Sequence, residues 1–407
     1  KQPYGPFLAN TTIGIIPKHI WESVNDEQFI FSQYNTEPIG SGAYKKSSII
    51  RDKGGIPTEY KLTTWSGYYG SEPFIENIIF HFFSEEKEML SALDQGKIDS
   101  AVSLFTESAS LLASDKTQAY RIISTPLPRI FGVFFNQNQS PVLADKVVRQ
   151  ALDMSIDRTE LINKVFKGYG VPTTGPTPFI ISTSTPVIPA KISASSTSTT
   201  PINNAQSLLE KNGWKKASDG VYTKKVGKTS TTLTLAFDIY TVDSPDLKQV
   251  AGLIQNTWNE LGARVVVKVY EASDLYQNII RTRKYDALLF GEAIGKDRDL
   301  YAFWHSSQLK APGLNVALYA NSKTDKLLDD IRATTDENVR MAKYAQFDQI
   351  IRNDLPAIFL YMPNFIYAVP KAIKNIQIGA INIPADRWSG VSKWYEETES
   401  VYTVFNK

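Results

Sequence analysis

Strands and helices alternate along most of this chain, and this alternation constrains its fold more than any other feature. Residues 75–83 are a strand candidate, Ser84 can cap a helix that Gly96 ends, and residues 98–104 predict a second strand. A strand followed by a helix and a second strand is the unit from which α/β domains are built. The sequence therefore predicts an α/β fold.

A second series of alternating elements begins near residue 129. Residues 130–136 predict a buried strand, residues 141–144 a turn, and Asp145 the N-cap of an amphipathic helix that is followed by another at 159–167. Further apolar patterns predict strands at 233–239, 265–269, 286–290 and 357–362, and helices at 204–211, 275–280, 324–333 and 336–353.

The best-marked helix of the chain is predicted to follow Ser244. The Ser244 hydroxyl can accept from the first free backbone amides, and Pro245 suits the first turn because its nitrogen carries no hydrogen. Apolar residues then recur at helical spacing as far as Leu261, and Gly262 is placed to end the helix.

Length, composition and charge narrow the class of protein. A chain of 407 residues exceeds the size at which a single core stops growing, so two or more lobes are expected. The 44 Lys and Arg residues nearly balance the 42 Asp and Glu residues, which excludes the strongly basic surface that nucleic-acid binding requires. With no Cys, thiolate catalysis, thiolate metal sites and disulfides are excluded as well.

The apolar runs of the sequence are too short to cross a bilayer, so the mature chain is expected to be soluble. It begins at Lys1 without an initiator Met or a signal peptide, which suggests that processing has removed a preceding segment. Residues 181–200 are rich in Ser, Thr and Pro and predict a surface loop.

Several stretches resemble one known family. Residues 145–152 read Asp-Lys-Val-Val-Arg-Gln-Ala-Leu and are continued by Ile156-Asp157-Arg158 and by Gly168, which is similar to the signature helix pair of the family 5 extracellular solute-binding proteins. These proteins are the oligopeptide, dipeptide and nickel receptors of ABC importers. Further agreement, in the order of the family, is found at residues 16–20, 38–44, 90–99, 135–136, 208–214, 303–307 and 357–361.

The resemblance implies a two-lobed type II periplasmic-binding-protein fold, in which hinge strands join two α/β lobes that enclose a ligand. Residues 1–127 would then form the first lobe, which is incomplete at its N-terminus, residues 128–373 the second lobe, and residues 374–407 a tail returning to the first. By the same resemblance the chain would be an extracytoplasmic monomer, in the periplasm or on the outer face of the cell membrane. It would deliver a peptide or similar solute to ABC permease subunits, with a lipid anchor on the missing segment as its one link to the membrane.

The strand at 286–290 is followed by the principal candidate site, because ligands of open α/β sheets lie outside the carboxyl ends of strands. The resemblance places a Gly-Trp pair there, and Gly291 matches it, whereas Glu292 stands where the family has Trp. Gly291, Glu292 and Ala293 are predicted to touch ligand. Glu292, Asp297 and Asp299 are candidates to hold a ligand ammonium, although Asp297 and Asp299 can equally be turn or cap residues.

Three more residues are predicted at the ligand. The resemblance places Phe134 and Asn136 near the cleft, although one of the adjacent Phe134 and Phe135 must point into the core because side chains alternate along a strand. Trp304 either lines the pocket or packs between a loop and a helix. Arg149, Asp157 and Arg158 are interpreted as structural residues at the junction of two helices.

Three alternatives to a peptide receptor remain open. The same fold could bind a nickel chelate or an oligosaccharide, or the chain could be a sensor that does not transport. A hydrolase using Asp297 and Asp299 is the alternative from another class. The sequence offers no familiar catalytic motif for it, and we predict no enzyme activity and no cofactor. His19, His81 and His305 are widely scattered, so no metal site is predicted.

Overall fold

The computed structural model describes residues 3–5, 7, 11, 14–114, 120–178, 200–227 and 231–397. The chain forms two compact units. The central unit contains Pro126–Asn364 together with Lys1–Thr11, and the flanking unit contains Thr12–Thr125 together with Phe365–Lys407. The lobe boundaries at 127/128 and 373/374 stay predictions of the sequence.

The N-terminal part of the flanking unit combines a three-stranded antiparallel sheet with short helices. Its helices are α1 (Lys18–Trp21), α2 (Asp26–Phe29), α3 (Glu86–Asp94) and α4 (Thr106–Ser114), and its strands are β1 (Tyr44–Arg51), β2 (Pro57–Thr64), β3 (Asn77–His81), β4 (Ala101–Val102) and β5 (Tyr120–Pro126).

Two predictions in this region need correction. The strand predicted at 98–104 is reduced to Ala101–Val102, because Ser103 adopts a φ of 60° that ends the extended backbone. The helix predicted to start at Ser84 has Glu85 as its N-cap, and the Glu85 side chain makes no capping hydrogen bond.

The first half of the central unit places helices on a buried strand. Its elements are β6 (Arg129–Phe135), α5 (Pro141–Ala144), α6 (Lys146–Met154), α7 (Arg158–Phe166), β7 (Gly170–Pro172), α8 (Pro201–Lys211), β8 (Lys215–Lys216), β9 (Tyr222–Lys225), β10 (Thr232–Thr234) and β11 (Ala236–Val242). The turn predicted at 141–144 is a single helical turn, and the strand predicted at 233–239 is split by Leu235 into β10 and β11. Of the loop predicted at 181–200, only Thr200 lies within the described residues.

The second half of the central unit completes the sheet. Its elements are α9 (Pro245–Leu261), β12 (Arg264–Tyr270), α10 (Ala272–Asp274), a π-helical segment (Leu275–Ile280), β13 (Ala287–Ala293), α11 (Tyr301–Trp304), a 3₁₀ turn (Ser306–Gln308), α12 (Ser322–Ala333), α13 (Glu337–Asp354) and β14 (Ala357–Pro370). Helix α9 starts and ends where predicted, but the Ser244 side chain does not cap it. Strand β14 runs eight residues past its predicted end at 362 and carries the chain into the flanking unit.

The tail of the flanking unit contains β15 (Ile373–Lys374), a 3₁₀ segment (Pro384–Lys393) and β16 (Tyr395–Glu396). Trp388 packs edge-on against Phe80 with 5.3 Å between ring centroids, and Trp394 lies 5.1 Å from Trp388. None of the helices in the described ranges is long and apolar enough to cross a membrane.

The central sheet has the strand order β12-β11-β13-β6-β14, with β11 parallel to its two neighbours and β6 antiparallel to its own. Both faces are covered, and each carries an apolar core cluster. Phe135 belongs to one cluster and Phe134 to the other, so both rings are fully buried. The sequence required only one of these two rings to point into a core. In the structure both do, because β6 is covered on both of its faces.

The junction of α6 and α7 confirms the structural interpretation of its charged residues. Asp145 caps α6 by accepting from the Val147 amide at 2.9 Å, and Asp157 caps α7 by accepting from the Glu160 amide at 2.9 Å. Arg149 is 5% exposed and donates to four backbone carbonyls, while Arg158 pairs with Asp153. The Arg149 charge therefore fixes the ends of neighbouring elements.

Candidate functional site

The candidate site lies at the carboxyl end of β13. Strand β11 pairs with β13 only at Ala287 and Leu288, whereas β6 pairs with β13 as far as Ala293. The last three residues, Gly291, Glu292 and Ala293, therefore extend past the end of the parallel pair, which is where open α/β sheets bind ligands. The structure places these three predicted residues side by side on one strand end.

A cavity of about 260 Å³ opens beside this strand end, within the central unit. Three of its lining residues, Ile280, Glu292 and Val316, are buried. Its rim is exposed and consists of Tyr276, Arg281, Ala311, Pro312 and Leu314, and its walls are partly buried and consist of Arg283, Phe290, Gly291, Phe303 and Gly313. The lining is predominantly apolar, and Glu292 is the one acidic residue among the described residues that form it.

Gly291 is required at its position by its neighbour on β6. A Cβ atom on Gly291 would lie 2.7 Å from two ring carbons of Phe131, its register partner. A larger residue would have to displace this ring, which stacks on Tyr361 with 5.0 Å between centroids. The glycine thus keeps the backbone of the strand end close to its neighbour.

Glu292 has a carboxyl group that is almost completely removed from water. The residue is 2% exposed, and its Oε2 accepts a hydrogen bond from the Trp304 indole Nε1 at 3.2 Å. Its Oε1 is buried and has no hydrogen-bond partner among the residues that the structure describes. Burial raises the pKa of Glu292 from 4.5 to about 8, against the smaller opposing effect of the Trp304 hydrogen bond. Glu292 is therefore mostly protonated at neutral pH.

Phe134 and Trp304 lie in the core of the central unit. Both are fully buried, their ring centroids are 6.2 Å apart, and neither side chain belongs to the cavity lining. Trp304 acts on the site through its hydrogen bond to Glu292. Asn136 is 2% exposed and donates to the backbone carbonyl of Arg283 at 2.9 Å.

Asp297 and Asp299 are engaged in holding the loop after β13. The Asp297 Oδ1 accepts from the Asp299 amide at 3.3 Å, and the Asp299 Oδ1 accepts from the Tyr301 amide at 3.0 Å. The other oxygen of Asp299 forms an ion pair with Arg332 at 2.5 Å, and the Arg332 guanidinium lies 3.6 Å from the Tyr301 ring centroid. These contacts match the turn and cap role that the sequence left open.

The loop that forms the cavity rim was not predicted from the sequence. Arg283 donates to the carbonyls of Leu309 at 3.1 Å and Gly313 at 2.6 Å, which fixes the backbone on both sides of Pro312. Arg283 is 30 residues away from Gly313 in sequence, so no local spacing could indicate the contact. The exposed apolar Leu314, directly after a Pro-Gly pair, is the one local signal of an unusual surface.

The structure is of the α/β class, with a sheet covered on both faces and a cavity at one strand end. Residues 1–313 match the family described as bacterial extracellular solute-binding proteins, family 5 Middle. The chain belongs to this family, which confirms the resemblance seen in its sequence.

Known relatives extend the match to nearly the whole chain. The oligopeptide-binding protein AppA of Bacillus subtilis (strain 168) is 25% identical over 402 residues, which are 97% of this chain and 69% of the relative. The first two curated relatives are matched over 65% and 69% of their own length, so the chain spans about two thirds of the proteins it resembles.

Solved structures confirm the fold class. A putative peptide binding protein AppA from Clostridium difficile superposes with a TM-score of 0.75 at 22% identity, covering 97% of this chain and 75% of that one. NikZ from Campylobacter jejuni, solved in complex with Ni(L-His), gives a TM-score of 0.69 at 23% identity with the same coverage. The chain therefore has the two-lobed periplasmic-binding-protein fold.

Proposed function

We propose that this protein is the solute receptor of an ABC importer and that it binds a peptide or peptide-like ligand. The observation that carries the proposal is the family match over residues 1–313. Relatives named as oligopeptide-binding and D,D-dipeptide-binding proteins, each matched over more than nine tenths of this chain, support a peptide as the solute.

The ligand site of the proposal is the end of β13 with its cavity. The backbone of Gly291, Glu292 and Ala293 can exchange hydrogen bonds with the main chain of an extended peptide, as an added strand does. The neighbouring cavity can accept one side chain of that peptide. In this proposal Phe134, Asn136 and Trp304 support the site from behind, and Asp297 and Asp299 shape the loop beside it.

The location and partners of the protein follow from the same proposal. The family is named for extracellular proteins, which supports a place outside the cytoplasm, in the periplasm or on the outer face of the cell membrane. Delivery requires contact with the permease subunits of the importer. We propose a monomer that has no catalytic step and no cofactor, and whose one link to the membrane is a lipid anchor.

A thermal-shift comparison of solute classes tests the proposal. A ligand that binds only the folded protein raises its free energy of unfolding, by about 2.7 kcal/mol when the free ligand concentration is one hundred times Kd. The melting temperature rises with it. We expect a shift with at least some members of a panel of di- to nonapeptides, and none with maltooligosaccharides or with Ni(II) and histidine. A shift with Ni(II) and histidine alone would assign the chain to nickel-chelate receptors, since one structural neighbour was solved in complex with Ni(L-His).

A further inference from the structure

Among the described residues, Glu292 carries a buried carboxyl oxygen without a hydrogen-bond partner and lines a cavity whose other lining residues are in part exposed to solvent. We propose that this cavity selects a cationic side chain on an unbranched apolar stem, of the lysine type, with Glu292 as its counter-ion. The inference rests on the proposed function and names the side chain that this site prefers.

The shape of the cavity fits such a group. Its exposed lining residues are accessible from solvent, whereas Ile280, Glu292 and Val316 are buried, and most of the lining that a ligand meets beside the carboxyl is apolar. The volume of about 260 Å³ corresponds to roughly nine water molecules of about 30 Å³ each. That space holds the four methylenes and the ammonium of a lysine side chain.

The hydrogen bonds of Glu292 lack one donor. Trp304 supplies the donor for Oε2, whereas Oε1 has no partner among the described residues. Because Glu292 lines the cavity, a ligand bound there can supply the missing donor. An ammonium group would give the second oxygen its donor and the ionised carboxylate its counter-charge. A buried charge is tolerated when it is both paired and hydrogen-bonded.

The other residues of the lining are compatible with a cation beside Glu292. The aromatic rings of Tyr276, Phe290 and Phe303 lie around the cavity, and the faces of aromatic rings attract ammonium groups. Arg283 is committed to two backbone carbonyls, and Arg281 is exposed at the rim, where it donates to Gln277. At that rim, water screens the charge of Arg281.

The protonation of Glu292 predicts how the affinity for a cation depends on pH. The other titratable or charged groups around it are Tyr276, Arg281 and Arg283 of the lining, together with Tyr319, which packs edge-on against Trp304. Because burial holds the pKa of Glu292 near 8, a cation that binds below that pH must displace a proton. Its affinity should therefore rise about tenfold per pH unit from pH 5 to 7 and level off above pH 8.

The test compares matched ligands on matched variants by isothermal titration calorimetry. The peptides are Ala-Lys-Ala and Ala-norleucine-Ala, and the small probes are n-pentylamine and pentan-1-ol. The proteins are the wild type, Glu292→Gln, and Asp219→Asn as a control that removes an exposed carboxylate outside the cavity lining. Gln has nearly the shape of a protonated Glu, and the melting temperature of each variant verifies its folding.

We expect the wild type and the control to bind the Lys peptide at least tenfold more tightly than the norleucine peptide, and pentylammonium more tightly than pentanol. In Glu292→Gln both preferences should fall to twofold or less. Equal binding of the two peptides by the wild type, or a preference that survives Glu292→Gln, overturns the inference.

The two proposals fail in different ways. Peptides that bind without any preference for Lys leave the peptide receptor in place and remove the cation-selective cavity. Binding of pentylammonium that depends on Glu292, without binding of any peptide, supports the cavity and removes the peptide receptor.

Discussion

Glu292 lies on the face of β13 that packs against Trp304, in surroundings that favour an apolar side chain. From the sequence, Glu292 was predicted to lie at a strand end, at a position where the resemblance implies Trp. It could not indicate the burial, because Trp304 comes from a helix and Val316 from a loop that follow later in the chain. The position of the site was predictable from a local pattern, whereas its electrostatics depend on the packing of distant segments.

Replacing Glu292 by Gln should make the stability of the protein less dependent on pH. In the folded protein the carboxyl stays protonated up to about pH 8, whereas in the unfolded chain it ionises near 4.5. The wild type therefore loses about 1.4 kcal/mol of unfolding free energy per pH unit between these values from this group alone. Denaturant unfolding measures the free energy of unfolding at pH 5 and at pH 8. Relative to the wild type, the value for Glu292→Gln should be about 3–4 kcal/mol more favourable at pH 8 than at pH 5. A difference that stays constant over this range would show that Glu292 is not buried as described.

The Asp299–Arg332 ion pair should contribute to stability rather than to ligand binding. Asp299→Asn removes the charge from a side chain that is 13% exposed, so we expect a loss of about 1–2 kcal/mol in unfolding free energy at pH 7. Peptide affinity should change less than twofold in the variant. Asp297→Asn, which keeps an acceptor for the Asp299 amide, is the matched control. Lost affinity with unchanged stability would instead place Asp299 at the ligand.

At the scale of elements, the sequence predicts best where several local signals coincide. Helix α9 has Pro245 in its first turn, a regular apolar stripe, and Gly262 at φ 110° after its last residue. Strand β14 was predicted as far as 362, and the residues that follow, Pro363 and Asn364, are poor strand residues. Its continuation depends on partners distant in sequence: β7 pairs with it at Pro363, and β4 pairs with it at Tyr367 and Ala368.

Two Gly→Ala substitutions in the central unit should have opposite effects. A Cβ on Gly132 in β6 would lie 2.7 Å from the Ile358 carbonyl oxygen of β14, so Gly132→Ala must separate two paired strands and should cost about 1–3 kcal/mol. A Cβ on Gly252 in α9 would have no described atom within 4 Å apart from its chain neighbours and the adjacent backbone of its own helix, so Gly252→Ala should stabilise by about 0.5–1 kcal/mol. Denaturant midpoints measure both effects. A neutral Gly132→Ala would contradict the close approach of the strands.

At the scale of the whole molecule, the two units differ in how much apolar surface they bury. Both large core clusters lie in the central unit, one on each face of its sheet. The flanking unit exposes many large apolar side chains in its described part, among them Ile15 at 100%, Phe31 at 82% and Phe74 at 74%. The sequence predicted two lobes from chain length and the resemblance, but this difference depends on packing within each unit.

Unfolding should therefore proceed in two stages, with the flanking unit opening first. Buried apolar area is the main source of stability, so amides of β1, β2 and β3 should exchange with deuterium faster than those of β6 and β13. Hydrogen exchange followed by mass spectrometry measures both sets in one experiment. Equal protection of the two sets, with a single cooperative transition, would contradict separate units.

We expect this member of the family 5 solute-binding proteins to capture peptides. The most direct measurement is native mass spectrometry of the purified chain after incubation with a synthetic pentapeptide library and removal of unbound peptide. We predict a protein carrying one peptide per chain, with Lys-containing members enriched. A spectrum that shows only the bare protein, or a non-peptide solute carried from purification that no peptide displaces, would contradict the account.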